Sequence, residues 1–346
     1  MSAVPGTRTT SLRVSRRELF WERLREQVPI GLLALASVLI VAMLGVILGN
    51  IVWNGAGQIS LEFLTTAPRG GMTEGGIFPA IFGTVALVIL MTIAAVPIGV
   101  ATAIYLREFT PGSNLGYAWA HLRAARHWQE RLAGFARVLE VLLARATRAA
   151  VNNLAGVPSI VFGLFGLGFF VRFVGGGIDR LVYGGELVYG QPAIIWAALT
   201  LALLTLPVVI VSTDEALRAV PRELREASLA LGATRWQTIW RVVLPEALPG
   251  VLTGAILAVS RGAGEVAPVL FTGAAYFLPY LPSRLNDQFM ELGYHVFILS
   301  TQSPDVEKTK PLLYGTVLVL LGLTFALNAV AVLIRARVRR RLRARS

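Results

Sequence analysis

Residues 77–106 read IFPAIFGTVALVILMTIAAVPIGVATAIYL, thirty residues without one charged side chain. Wound as a helix at about 1.5 Å per residue, the stretch is longer than the roughly 30 Å hydrocarbon core of a bilayer. Four further stretches are equally free of charge: Pro29 to Trp53, Ala149 to Val171, Leu187 to Thr213 and Pro311 to Ile334. A sixth, from about Ala247 to Ala275, is interrupted only by Arg261 and Glu265. The composition agrees, with 55% of the 346 residues hydrophobic and 15% charged, where soluble proteins carry about 25% charged residues. A membrane β-barrel would show many segments of about ten alternating residues, and none is present. These runs predict an all-α, polytopic membrane protein with six transmembrane helices.

Charge placement orients the spans. Of the 32 basic residues, 25 lie in residues 1–28, 107–150, 215–245 and 335–346, which are both termini and alternate loops. The positive-inside rule then puts both termini in the cytoplasm. The predicted layout is a basic N-terminal segment at 1–28 and a six-helix transmembrane domain at 29–334. Its spans are expected near 29–53, 77–106, 149–174, 187–213, 247–275 and 311–334, and a basic tail follows at 335–346. The first apolar run exceeds the 7 to 15 residues of a signal-peptide core, so it reads as a retained helix.

The sequence offers no catalytic constellation. Cysteine is absent, so thiolate metal sites and disulfides are excluded. His121, His127 and His295 are not spaced as a metal site, and no Gly-x-Ser-x-Gly elbow occurs. A phosphate-binding P-loop requires a lysine after its glycine, yet Lys308 and Lys310 are the only lysines and both fall in a predicted external loop. The chain therefore cannot hydrolyse ATP by a P-loop of its own, and no enzyme activity, cofactor or metal is expected in it. The positive charge follows membrane topology, so no nucleic-acid partner is expected.

One basic loop stands out. Between the second and third spans, Trp128, Leu132, Phe135, Leu139, Leu142 and Ala146 recur at helical spacing within residues 120–148, with Arg131, Arg137, Arg145 and Arg148 mostly elsewhere around the helix. Two readings stay open: a surface for anionic lipid or a partner, or an extension of the third span that shields its own apolar face.

A second loop carries a recognisable pattern. Glu226-Ala227-Ser228 is followed by Gly232 and, after nine more residues, by Val242-Val243-Leu244-Pro245. Glu226 to Leu231 favours a helix, Gly232 permits a sharp exit, and a second helical piece is expected to stop before Pro245. The pattern resembles the EAA loop of ABC-importer permeases, with Ser228 where a second Ala is usual and Val242 where Ile is usual. The stretches Gly75 to Thr84, Gly156 to Leu164 and Arg261-Gly262-Ala263-Gly264-Glu265-Val266-Ala267-Pro268 narrow the resemblance to the PstA-type permease of bacterial phosphate importers.

This resemblance implies a type I importer permease fold in the bacterial inner membrane, working in phosphate transport. It implies a homologous PstC-like permease, two PstB-like ATPase subunits that use ATP, and an extracytoplasmic PstS-like phosphate-binding protein as partners. By the same resemblance Glu226, Ala227, Ser228, Gly232, Val242, Leu244 and Pro245 form the ATPase coupling loop, and Arg261 borders the translocation path. A charge at mid-bilayer costs about 2.5–3.5 kcal/mol, so Arg261 and Glu265, four residues apart, need each other, water or an anion. A guanidinium suits an oxyanion, while a purely structural ion pair is the alternative. Two other functions remain open: the same architecture importing phosphonate, sulfate or molybdate, or an ATPase-independent secondary transporter.

Overall fold

A computed structural model describes residues 16–70, 74–110, 116, 120, 123, 127–303 and 305–343. The chain divides into two units, residues 1–54 and 55–346. The first is one long helix, α1 (Arg16–Gly55), whose last residue opens the second unit. It is apolar all round from Val28 to Trp53, which suits a span surrounded by lipid.

Among the described residues the second unit is mainly helical, with one antiparallel pair of two-residue strands, Pro68–Arg69 with Glu74–Gly75, and an isolated bridge between Ala274 and Phe289. A short helix α2 (Leu61–Thr65), capped by the Ser60 hydroxyl, leads into α3 (Phe78–Ile104), which ends in a π-turn over Tyr105–Phe109. Next come α4 (Trp128–Leu154), α5 (Ser159–Phe165), which runs on through a π-helical stretch to Gly175, and α6 (Gly176–Val182). Then follow α7 (Ile194–Ala219), α8 (Arg222–Ala230), α9 (Arg235–Thr238), α10 (Leu244–Gly262) and α11 (Ala267–Thr272). The last two are α12 (Leu292–Thr301) and α13 (Val306–Arg343). Six helical stretches are long and apolar enough to cross a membrane: 27–58, 78–109, 159–182, 194–219, 235–262 and 306–341.

The third of these begins ten residues after the start expected from composition. Ala149–Leu154 belong to α4, and the chain turns at Ala155–Pro158 before α5. Pro158 holds φ −58° and ψ 140° at the N-cap; its ring pushes Val157 out of the helical region, and it offers no N–H to the preceding turn. Pro158 thus opens a span instead of kinking one, whereas Pro97 and Pro207 do lie inside α3 and α7.

The fourth span also starts later than expected, at Ile194. Residues 187–193 instead wrap the buried Asp179 carboxylate, which accepts N–H bonds from Val188, Tyr189 and Gly190 at 3.1, 2.8 and 2.6 Å. Trp196 closes the wrap by donating to the Tyr189 carbonyl at 2.7 Å. These bonds satisfy the backbone N–H groups of Val188, Tyr189 and Gly190.

α7 is the centre of the second unit, with 67% of its apolar window buried, the largest share among the six spans. It packs on α3 and α10 at glycines. A Cβ at Gly99 would lie 2.6 Å from Val209 Cγ1, and one at Gly254 would lie 2.7 Å from Ser212 Cβ. Small residues at these crossings let backbones approach in lipid, where dispersion contacts replace the hydrophobic effect as the force between helices. One apolar cluster joins Leu87, Met91, Leu201, Ala263, Val269 and Phe289; another, at the Arg-rich end, joins Leu106, Val151, Leu217, Ile239, Val243 and Val251.

On the far side α12 is capped by Glu291, whose buried carboxylate accepts from the N–H groups of Gly293 and Tyr294 at 2.8 and 2.6 Å. Burial pushes this carboxyl up to about 7 against those two bonds, and pushes the buried His295 imidazole down to about 4. The Leu292 N–H is taken by the Thr84 hydroxyl of α3 at 2.9 Å, which ties this loop to the second span.

Because nothing lies within 4 Å of a Cβ at Gly31, Gly31→Ala is expected to leave stability unchanged, whereas Gly99→Leu should destabilise by about 1–3 kcal/mol through overpacking against Val209. Thermal melts of the two detergent-solubilised variants check this.

Candidate functional site

Two regions bring the expected functional residues into place: a break within the fifth span and the loop that feeds it. The break follows from sequence. α10 winds to Gly262, the chain loosens over Ala263–Val266, and α11 restarts at Ala267. Pro268 has no N–H and its ring would press on the Gly264 carbonyl, so a continuous helix is barred at this point. The loosened turn is held by Ala263 N–H to Val259 O at 3.0 Å and by two longer bonds, Gly264 to Arg261 at 3.3 Å and Glu265 to Gly262 at 3.4 Å. Gly262 lies hard against Met91 of α3, so no larger residue fits there without displacing it.

At this break Arg261 and Glu265 meet, Nε to Oε1, at 3.5 Å. The Arg261 side chain is 41% exposed and Glu265 22%, so the pair faces an opening instead of packed core. Arg261's terminal nitrogens make no hydrogen bond among the described residues, so the guanidinium's two-pronged face stays available to an oxyanion. One residue earlier, the Ser260 hydroxyl bonds the Asn328 side chain of α13 at 2.5 Å, which pins the last turn of α10 to the final span.

The loop is built as two short helices around a glycine. α8 ends where Gly232 takes φ +83°, a left-handed exit that glycine adopts without strain. Thr234 and Gln237 then form a reciprocal capping box that starts α9. The expected stop before Pro245 does not occur. A π-turn over Ile239–Val243 carries α9 straight into α10, and the region 235–262 is one helical run. Pro245 lies inside that run, just after the π-turn, and its missing N–H takes one bond out of the helix without ending it.

Glu226 and Ala227 are exposed on α8, and Ser228 is half-buried, with its hydroxyl 3.0 Å from that of Thr238. Val242, Leu244 and Pro245 are half-buried where the loop joins the bundle. Around the exposed Glu226 and Ala227, Leu224, Leu229, Leu231, Trp236 and Trp240 are also uncovered. The two indoles pack edge-on with centroids 5.4 Å apart. Exposed leucines and tryptophans beside small residues make a surface shaped for another protein. The tryptophan pair was legible as an i, i+4 aromatic repeat but was not singled out in the sequence.

A brace beneath α8 had no local signal at all. Arg225 Nη2 reaches Glu108 Oε1 at 3.1 Å across 117 positions of sequence, and also donates to the Leu217 carbonyl at 2.7 Å; Nη1 donates to Val220 at 3.3 Å. Both side chains are more than four-fifths covered. Glu108 sits in the π-turn that ends α3, so this pair fastens the loop to the second span. Beside it opens a cavity of about 860 Å³ lined by Arg107, Arg148, Asp214, Arg222 and Glu226 among others. Among the described residues no cluster of three or more His, Asp or Glu could hold a metal, and His121 lies outside the described residues.

The family described as "Binding-protein-dependent transport system inner membrane component" matches residues 132–344, which include the loop and the break. The Bacillus subtilis (strain 168) protein named "Probable ABC transporter permease protein YqgI" is 30% identical over 299 residues, covering 82% of this chain and 87% of that one. The phosphate transport system permease protein PstA of Haemophilus influenzae is 30% identical over 279 residues, covering 80% and 83%. PstA 1 of Mycobacterium tuberculosis is 36% identical over 209 residues, covering 60% of this chain and 55% of that protein, so the match spans about half of that relative's length. A chain of the bacterial alginate ABC transporter, solved with an alginate pentasaccharide-bound periplasmic protein, shares the fold at a TM-score of 0.52 and 14% identity, covering 92% of this chain and 95% of that one.

Arg225→Ala strands Glu108 in a largely covered setting and is expected to destabilise by about 1–3 kcal/mol. The exchange Glu108→Arg with Arg225→Glu should recover part of that loss. A double-mutant cycle of melting temperatures in detergent decides this, and additive losses would remove the brace.

Proposed function

The chain belongs to the binding-protein-dependent transport system inner membrane component family, and from that membership we propose that it is the PstA-like half of a phosphate importer. It is a permease subunit of an ABC importer of the inner membrane and carries no catalytic site, since ATP hydrolysis belongs to a separate ATPase subunit. In the proposed assembly it pairs with a PstC-like permease, rests on two PstB-like ATPases and receives phosphate from a PstS-like binding protein. The domain at 29–334 forms half of the path, and the segments at 1–28 and 335–346 lie in the cytoplasm with the loops at 107–148 and 215–245, as the arginine distribution requires.

The observation that carries the cargo reading is the half-exposed Arg261 at the loosened turn of the fifth span. Its guanidinium offers paired N–H donors to a tetrahedral oxyanion, and the Glu265 contact at 3.5 Å keeps the site from holding an anion too tightly. The relatives named for phosphate transport support the same cargo. Glu226, Ala227, Ser228 and Gly232 form the face that an ATPase grips, and Val242, Leu244 and Pro245 join that face to the path.

The test is uptake of labelled phosphate into vesicles carrying the chain with its candidate partners. Arg261→Ala is expected to lower ATP-driven uptake at least tenfold, about 1.4 kcal/mol of lost stabilisation, with Arg261→Lys intermediate. Glu226→Lys should abolish uptake while the subunits still assemble. Full uptake by Arg261→Ala overturns the role of that residue, and competition by sulfate or molybdate in place of phosphate overturns the cargo.

A further inference from the structure

Among the described residues, one face of α4 has no partner in the chain, and it is the face that the sequence marks as apolar. Trp128, Leu132, Phe135, Leu139, Leu142 and Leu143 are all exposed, Trp128 by 70% and Phe135 by 60%. The opposite face, with Gly134, Val138, Val141, Ala144 and Val151, is the buried one. α4 is therefore not an extension of the third span that hides its own apolar stripe. It is a separate helix, held to the bundle by its less bulky side.

How it is held fixes its depth. Ala144 and Val151 pack with Ala103, Ile104 and Leu106 from the last turns of the second span and with Ile210 and Leu217 of the fourth. Arg148 donates to the Leu106 carbonyl at 2.7 Å and to that of Thr110 at 3.5 Å, satisfying carbonyls left open where α3 ends. Five residues beyond Leu154 the next span begins at Ser159. The helix thus lies where spans leave the bilayer, with its indole, phenyl and leucine side chains turned away from the bundle. Residues 107–150 carry seven arginines against three glutamates, which suits the anionic leaflet on the positive side of the membrane.

We propose that α4 is an interfacial anchor whose apolar stripe is seated at the headgroup and acyl boundary of the anionic cytoplasmic leaflet. Amphipathic helices with aromatic and leucine side chains on one face bind there by burying that face to about 5–10 Å. The anchor sets the level of the Arg-rich ends of the second and fourth spans, from which α8 hangs. It rests on the membrane reading alone and is independent of the cargo.

Since the chain has no cysteine, single nitroxide labels report each position without background once the partner subunits are also made cysteine-free. The full importer is reconstituted in vesicles of phosphatidylcholine and phosphatidylglycerol, with labels at Leu132→Cys, Leu139→Cys and Ala146→Cys on the stripe and at Gln129→Cys and Ala133→Cys off it. Ala146→Cys replaces one small exposed residue by another, so the assay does not depend on the larger side chains being dispensable. Stripe labels are expected to be at least threefold more accessible to oxygen, relative to a water-soluble nickel chelate, than the off-stripe labels. That ratio should fall when phosphatidylglycerol is omitted. Stripe labels freely reached by the chelate overturn the proposal. So does exclusion from oxygen and chelate alike, which marks a contact with a partner subunit. In either event phosphate uptake by the same vesicles reports on the importer reading separately.

Discussion

A bilayer core holds no water to receive a peptide N–H or C=O, so a chain that crosses it must satisfy its backbone internally. The fifth span loosens over Ala263–Val266, and there Ala263 is buried while Gly264 is exposed and Glu265 and Val266 are half-buried. Met91 of α3 fits against Gly262, and Ala263 lies in the same apolar cluster as Met91, Leu201 and Val269. Close packing at Gly99 and Gly254 holds α3, α7 and α10 near enough for that cover to exist.

The same packing makes the fifth span a lever. From Thr234 the chain is helical without interruption to Gly262, so a displacement at α9 is carried along about forty ångströms of rod to the Arg261 turn. The π-turn at Ile239–Val243 and the proline that follows it lie within the rod, where a tighter register would otherwise end it. α8 is fastened at its root by Arg225 to Glu108, so movement of the loop reaches the second span as well as the fifth. Both spans that pack against α7 are therefore joined to a single exposed surface, the one bearing Glu226, Leu229 and Trp236.

Much of this was legible in the residues. Charge-free runs announce spans because lipid selects against charge along the whole length of a helix, and the Glu226 to Gly232 pattern marks the loop because a left-handed exit needs glycine. Boundaries were less legible. Composition joins Ala149–Leu154 to the third span, since apolar residues do not record that Pro158 stops the helix behind it. It likewise joins both halves of the fifth span, although Gly262, Gly264 and Pro268 together carry the break. Pro245 misled for the converse reason, since the helix, loosened by the π-turn just before it, runs on past the proline. The Glu108–Arg225 pair could not be found from one sequence, because no local spacing connects residues 117 positions apart. For α4 the sequence showed the apolar stripe and not the direction in which it faces, which only its packing on α3 and α7 decides.

The account stands on energy entering through the loop and leaving at the Arg261 turn. Its most direct test is the number of phosphate ions taken up per ATP hydrolysed by vesicles carrying this chain with its permease, ATPase and binding-protein partners. The account predicts a fixed ratio, with uptake falling to background when ATP or the ATPase is withheld. Uptake that continues down a phosphate gradient without the ATPase would contradict it.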